Sequence, residues 1–215
     1  MEISLIARNI VAVGTFIPSK FDKFFFIKNN VFKENELEDS IFSEHFIQIR
    51  TDTVIILISS SNLSITSKDL EDPKHADFVL EKIIENSDIH CTAIGINFDY
   101  FMYMGNNKLE EVSKKYFYQK NTLVDSFFNV EDAAFGFYVS KDFKQARLKL
   151  DIKPQLVYDT FESKQKNVLS FEFNFHSDLE EETSADKILS IIKDAPDYFE
   201  ETKNIMNIYN DNKES

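Results

Sequence analysis

The chain has few of the residues that form ligand-binding loops and covalent cross-links. Its 215 residues include four glycines, four prolines, one cysteine and no tryptophan. Isolated glycines leave no Gly-x-Gly-x-x-Gly, P-loop or Gly-x-Ser-x-Gly motif, which excludes the common nucleotide-binding loops and the nucleophile elbow of hydrolases. Cys91 has no second cysteine for an internal disulfide, as is usual in a reducing compartment. We therefore expect a cytoplasmic protein without a cofactor.

Long apolar runs and positive charge are also scarce. The longest nearly apolar stretch, Val54–Ile58, is far shorter than the ~20 residues of a membrane-spanning helix, and the N-terminal residues do not resemble a signal peptide. The net charge is −13, from 24 basic and 37 acidic residues. Nucleic-acid-binding proteins normally present a basic face. The sequence thus argues against direct binding of nucleic acid and against a membrane partner.

Large apolar side chains are abundant. The sequence is 43% hydrophobic and contains 22 Phe and 8 Tyr, enough for a sizeable core because each buried aromatic side chain removes about 150–250 Å² from water. Frequent Lys, Asn, Ile and Phe are typical of an AT-rich genome, which suggests a low-GC bacterium or a phage. The length predicts a single domain over residues 1–215, with a disordered tail over 211–215.

Period-two alternation of apolar residues predicts a protein rich in β-strands. The predicted strands cover 10–17, a meander over 46–67, and then 89–104, 133–139, 146–152 and 168–176.

Helical spacing of apolar residues predicts three helices. They cover 72–86, 109–118 and a stretch from Ser184 onward that is interrupted at Pro196. The run Phe24–Ile27 fits either a buried strand or a short helix. We expect an α+β fold with a mainly antiparallel β-sheet and about three helices on one side.

Two pairs of segments resemble each other. Residues 12–17 are similar to 134–139, and residues 94–99 are similar to 169–176 around an Asn-Phe pair. Two pseudo-symmetric halves, 1–120 and 121–210, would explain this similarity, although short segments rich in Phe and Ile also match by chance.

The polar candidates for chemistry are few. The four histidines lie too far apart in sequence for the usual zinc-ligand spacing, so no metal site is expected. His176 and Asp178 follow a predicted strand, and in a cleft with Arg147 or Tyr138 they would form an unfamiliar carboxylate–histidine site. A polar strand end that leads into an acidic loop explains the same residues.

The aromatic segment 100–104 would place apolar side chains on both faces of a strand. An incompletely covered strand would expose a surface for a protein partner or for self-association. We therefore expect a protein-interaction or accessory protein, rather than an enzyme, that acts through acidic and aromatic surface. The predicted binding residues are Tyr100, Phe101, Tyr103, Arg147, His176 and Asp178.

Three alternatives remain open. A small-ligand binder would have a cavity within a curved sheet. An acidic mimic of nucleic acid and an enzyme with the His176–Asp178 site are the other two. The predicted cavity lining is Phe98, Tyr100, Phe173 and Phe175.

Overall fold

A computed structural model of the chain describes residues 2–70, 72, 74–87, 89–105, 107–120, 122–128, 130–159, 163–180 and 185–211. The strands are β1 (Glu2–Thr15), β2 (Ile41–Phe42), β3 (Ile47–Arg50), β4 (Val54–Ile58), β5 (Asn62–Ser67), β6 (His90–Tyr103), β7 (Phe137–Phe143), β8 (Ala146–Asp159) and β9 (Lys164–Asp178). The helices are α1 (Lys23–Lys28), α2 (Lys74–Asn86), α3 (Leu109–Phe117), α4 (Thr122–Phe128), α5 (Ala185–Lys193) and α6 (Ala195–Asp211).

All nine strands form one antiparallel sheet in the order β2-β3-β4-β5-β1-β6-β9-β8-β7. The predicted α+β class with a mainly antiparallel sheet is confirmed. None of the helices in the described ranges is long and apolar enough to cross a membrane.

The strand order is similar on the two sides of the central pair, β1 and β6. On one side of the centre, the meander β3–β4–β5 returns to pair with β1 and is followed by α2. On the other, β7–β8–β9 returns to pair with β6 and is followed by α5 and α6. In this correspondence the boundary lies between α2 and β6, while the halves 1–120 and 121–210 stay a prediction. Of the two similar segments, residues 12–15 lie on β1 and residues 137–139 lie on β7, and these two strands do not occupy corresponding positions in the sheet.

One face of the sheet holds the core. On β6 the buried side chains Ile94, Ile96 and Phe98 alternate with outward-facing ones, and the same alternation continues on β9 and β8. Over the described ranges, the hydrogen bonds and ring contacts that join helices to the sheet all lie on this face. We call the opposite side of the sheet the open face.

Several boundaries differ from the sequence predictions for local reasons. Residues 133–136 are not in a strand, and β7 lies further along the chain, from Phe137 to Phe143. Strand β8 continues through Pro154 to Asp159, since its pairing with β9 extends to Asp159 whereas its pairing with β7 ends at Ile152. Beyond that point β8 is itself an edge, where proline removes no ladder hydrogen bond.

Three elements were undecided or missed, and one of them is the two-residue strand β2. The run Phe24–Ile27 lies within α1, whose N-terminus is capped by Asp22 through a 2.7 Å hydrogen bond from the Phe25 amide. Helix α4 was not predicted. Helix α6 extends to Asp211, the first residue of the predicted disordered tail, and the tail stays a prediction. Ser184, Pro73 and residues 212–215 lie outside the described residues.

Candidate binding surface

Three asparagines form a row across the centre of the open face. In the sheet register Asn9 of β1 lies opposite Asn97 of β6, which lies opposite Asn174 of β9. Asn97 Nδ2 donates to Asn9 Oδ1 at 2.7 Å, and Asn174 Nδ2 donates to Asn97 Oδ1 at 2.5 Å. Asn174 Oδ1 is buried and accepts no hydrogen bond within the described part of the chain. These bonds fix the orientation of amides that ordinarily favour turns over strand interiors.

A row of carboxylates runs beside the asparagines. Asp99 lies opposite Glu172, and Glu172 lies opposite Asp151 on the next strand. Lys153 Nζ lies 2.7 Å from a Glu172 carboxylate oxygen and 3.0 Å from one of Asp151.

Asp99 is the electrostatically strained member of that row. The pKa of its carboxyl is raised from 3.8 to about 6, chiefly by burial and in smaller part by the negative charge of Glu172, whereas the positive charge of Lys153 lowers it. At neutral pH the ionised form of Asp99 therefore destabilises the folded protein. An added positive charge on this part of the open face would stabilise that ionised form.

The predicted residues His176, Asp178 and Arg147 also lie on the open face. His176 Nε2 lies 2.9 Å from Asp178 Oδ1, and Arg147 is the cross-strand neighbour of His176. The Arg147 guanidinium, however, donates to Asp142 Oδ1 at 2.9 Å and to Ser140 Oγ at 2.7 Å.

These polar residues form a surface and not a cleft. The side chain of Asp178 is 90% exposed and that of Arg147 is 45% exposed. An enzyme site of the predicted kind would need these groups and Tyr138 to face a common enclosed space. Tyr138 lies opposite Asp151 on the edge strand, away from Asp178.

The aromatic segment divides between the two faces. Tyr100 is a core residue: it is 5% exposed, and its hydroxyl lies 2.8 Å from Thr202 Oγ1 of α6. The prediction that Tyr100 contributes to a binding surface is inconsistent with this burial. Phe101 and Tyr103 lie on the open face, half-buried, with their rings perpendicular and 6.2 Å apart.

The side chains proposed to line a ligand cavity pack against each other and against α6. Phe175 stacks on Tyr198 with ring centroids 4.4 Å apart, and Phe98 stacks on Phe199 at 5.4 Å. Phe173 contacts Tyr100 edge to face at 5.7 Å. Since all four proposed lining residues are at most 5% exposed, this region is a filled core.

Two clefts with mainly polar linings lie away from this aromatic core. One, of about 650 Å³, lies beside β2 and β3 and is lined by residues including Glu36, Asp52 and Lys68. The other, of about 710 Å³, lies at one end of β6 and β9 and includes Tyr103 and Lys166. No group of three or more His, Cys, Asp or Glu in the described ranges has the geometry to hold a metal ion.

Sequence reasoning missed the asparagine and carboxylate rows. The signal was present as polar residues two apart within apolar strands: Asn97 and Asp99 on β6, and Glu172 and Asn174 on β9. Such spacing places both members of a pair on one face. What the sequence does not give is the register that aligns the pairs across strands.

The chain was compared with known proteins. No protein-family model matches it, and a search of curated proteins finds no relative.

Proposed function

We propose that this chain is a binding protein whose open face docks a basic segment of a protein partner. The observation that carries the proposal is a sheet face opposite the one that makes the hydrogen bonds and ring contacts to the helices in the described ranges. This face bears a central row of three amides beside a row of three carboxylates. The predicted residues Phe101, Tyr103, Arg147, His176 and Asp178 lie on the same face.

Charge supports a basic partner. The whole chain carries a net charge of −13, which would attract cationic surfaces and speed their association. Within the carboxylate row Lys153 contacts Glu172 and Asp151, while the pKa of Asp99 is raised to about 6. A partner Lys or Arg beside Asp99 would place a positive charge where the unbound protein holds an unfavourable negative one.

Hydrogen-bonding capacity supports a protein rather than a simple ion. Asn9, Asn97 and Asn174 present amide groups held in fixed orientations, and amides can both donate and accept. Peptide groups and Arg side chains match such a surface. The half-buried rings of Phe101 and Tyr103 add apolar area at one end of it.

The test uses two defined probes, a fluorescein-labelled decapeptide of alternating Arg and Ser and its Glu–Ser counterpart, measured by fluorescence anisotropy. The Arg peptide should bind with an affinity that falls as salt rises, and the Glu peptide should not bind. Removing two open-face charges, Asp99→Asn with Glu172→Gln, should weaken binding by about tenfold, because one close charge pair contributes roughly that factor.

A matched control removes two charges elsewhere. Glu110→Gln with Glu111→Gln neutralises the first turn of α3, which contacts the core face, and should change affinity less than about twofold because these charges do not lie at the docking site. NMR spectra should show side-chain amide shifts at Asn9, Asn97 and Asn174 on peptide addition. Equal losses for the two double variants, or shifts confined to the helices, would refute open-face docking.

A further inference from the structure

Strand β7 is a long and unprotected edge of the sheet. It has seven residues, it pairs only with β8 among the described strands, and Tyr138 is 60% exposed. An edge strand presents unpaired backbone N–H and C=O groups, which are a template for pairing with another strand. The strand at the opposite edge, β2, has only two residues and therefore presents far fewer backbone groups for pairing.

The charges on β7 are neutralised within the chain. Lys141 Nζ lies 2.6 Å from a Glu201 carboxylate oxygen of α6, and Asp142 accepts from Arg147 at 2.9 Å. Charged side chains on an edge ordinarily discourage pairing. Here their internal partners reduce that effect.

Apolar surface continues from β7 onto the core side of the sheet. Val139, Leu148, Leu150 and Ile205 of α6 line a small cavity of about 110 Å³ that opens beside the edge. A strand added at β7 would cover this opening. The edge thus offers both backbone hydrogen bonds and apolar area, the two components of recognition by strand addition.

We propose that a second copy of this chain pairs with β7, antiparallel and centred on Ser140, to form a symmetric dimer with one continuous sheet. In this register Tyr138 lies opposite the partner's Asp142, so that its hydroxyl can donate to a carboxylate. The two-fold symmetry repeats this pair on the other side of Ser140. Val139 lies opposite the partner's Lys141, whose aliphatic stem would cover the apolar opening.

The sequence of β7 disfavours the two registers that are centred further along the strand. Centring the pair on Lys141 would place the two lysines opposite each other, and centring it on Asp142 would do the same for the two aspartates. Like charges directly opposite each other destabilise a strand pair. The self-complementary pattern favours a second copy over an unrelated strand. The inference concerns the sheet edge and does not depend on the function proposed for the open face.

A site-specific cross-link tests the register. Directly opposite residues of antiparallel strands have Cα atoms about 4.5–5.5 Å apart, within disulfide range. Ser140→Cys should therefore form a covalent dimer under mild oxidation. Asp142→Cys is the control, because the two copies of residue 142 would be displaced by about 13 Å along the strands. Cys91 is buried and should not interfere.

Sedimentation over about a hundredfold concentration range tests the interface itself, since mass action links dimer population to concentration. The wild type should dimerise, Tyr138→Asp should weaken dimerisation by about tenfold or more through repulsion of the partner's Asp142, and Tyr138→Lys should retain it. Circular dichroism of both variants shows whether they are folded. A wild type that stays monomeric, a dimer insensitive to Tyr138→Asp, or cross-linking at residue 142 instead of 140 would overturn the proposal.

Discussion

Replacing Asp99 by Asn should make the protein more stable at neutral pH. The carboxyl of Asp99 has its pKa raised from 3.8 to about 6, first by burial and then by the nearby Glu172. A group whose native pKa exceeds its unfolded value binds protons more tightly in the native state, so native stability falls as pH rises between those two values. The neutral amide removes this dependence.

The size of the effect follows from the pKa difference. A change from 3.8 to about 6 corresponds to about 3 kcal/mol above pH 7 for a fully buried group, and solvent screening of this partly exposed side chain reduces the expected gain to about 1–2 kcal/mol. The difference between variant and wild type should shrink below about 0.5 kcal/mol near pH 4. For a domain of this length the neutral-pH gain would raise the melting temperature by about 2–8 °C.

Urea denaturation at pH 7.5 and pH 4 measures both values. Asp52→Asn, at an exposed loop position, is the control and should change stability by less than about 0.5 kcal/mol at either pH. If Asp99→Asn destabilises the protein, or stabilises it equally at both pH values, the burial and repulsion assigned to Asp99 are wrong. A stabilised variant that binds the Arg peptide less well would show that the carboxylate is kept for binding.

Three further changes test the core. Asp77→Ala should lower the free energy of unfolding, measured by urea denaturation, by about 3–5 kcal/mol, because Arg8 is 1% exposed and forms a 2.5 Å ion pair with Asp77. The double variant Arg8→Met with Asp77→Leu should recover most of this stability. If it recovers none, the explanation is contradicted. Tyr198→Phe should leave stability unchanged or raise it by up to about 1 kcal/mol, since the buried hydroxyl has no partner in the described ranges; a clear loss would reveal a missing hydrogen bond. Gly14→Ala should lower stability by about 1–3 kcal/mol, because its Cβ would lie 1.8 Å from the His90 carbonyl oxygen; a neutral result would show that β1 and β6 can separate there.

Local patterns were sufficient for the elements in which one face is buried. Leu148, Leu150 and Ile152 alternate with polar residues, and β8 follows that alternation with the predicted face buried. The pattern was insufficient for Phe24–Ile27, since four consecutive apolar residues fit either periodicity. It also missed α4, a short helix whose sequence carries no clear helical spacing.

The candidate site could be predicted only in part. His176, Asp178 and Arg147 were selected one by one and do lie on a common face. Tyr100 was selected for the same reason as Phe101, yet it faces the core, because adjacent residues of a strand point to opposite sides. Which face of the sheet is covered depends on the position of α6, whose Thr202 hydroxyl is hydrogen-bonded to the Tyr100 hydroxyl.

The sequence by itself determined the α+β class, most of the strands and the strong negative charge, because alternation, helical spacing and composition are local properties of the chain. Only the tertiary structure decided that β1 and β6 meet at the centre of the sheet, that the helices cover one face, and that Asn9, Asn97 and Asn174 align. Those features depend on strand order and register, which arise from pairing between residues 77 and 88 positions apart in the chain.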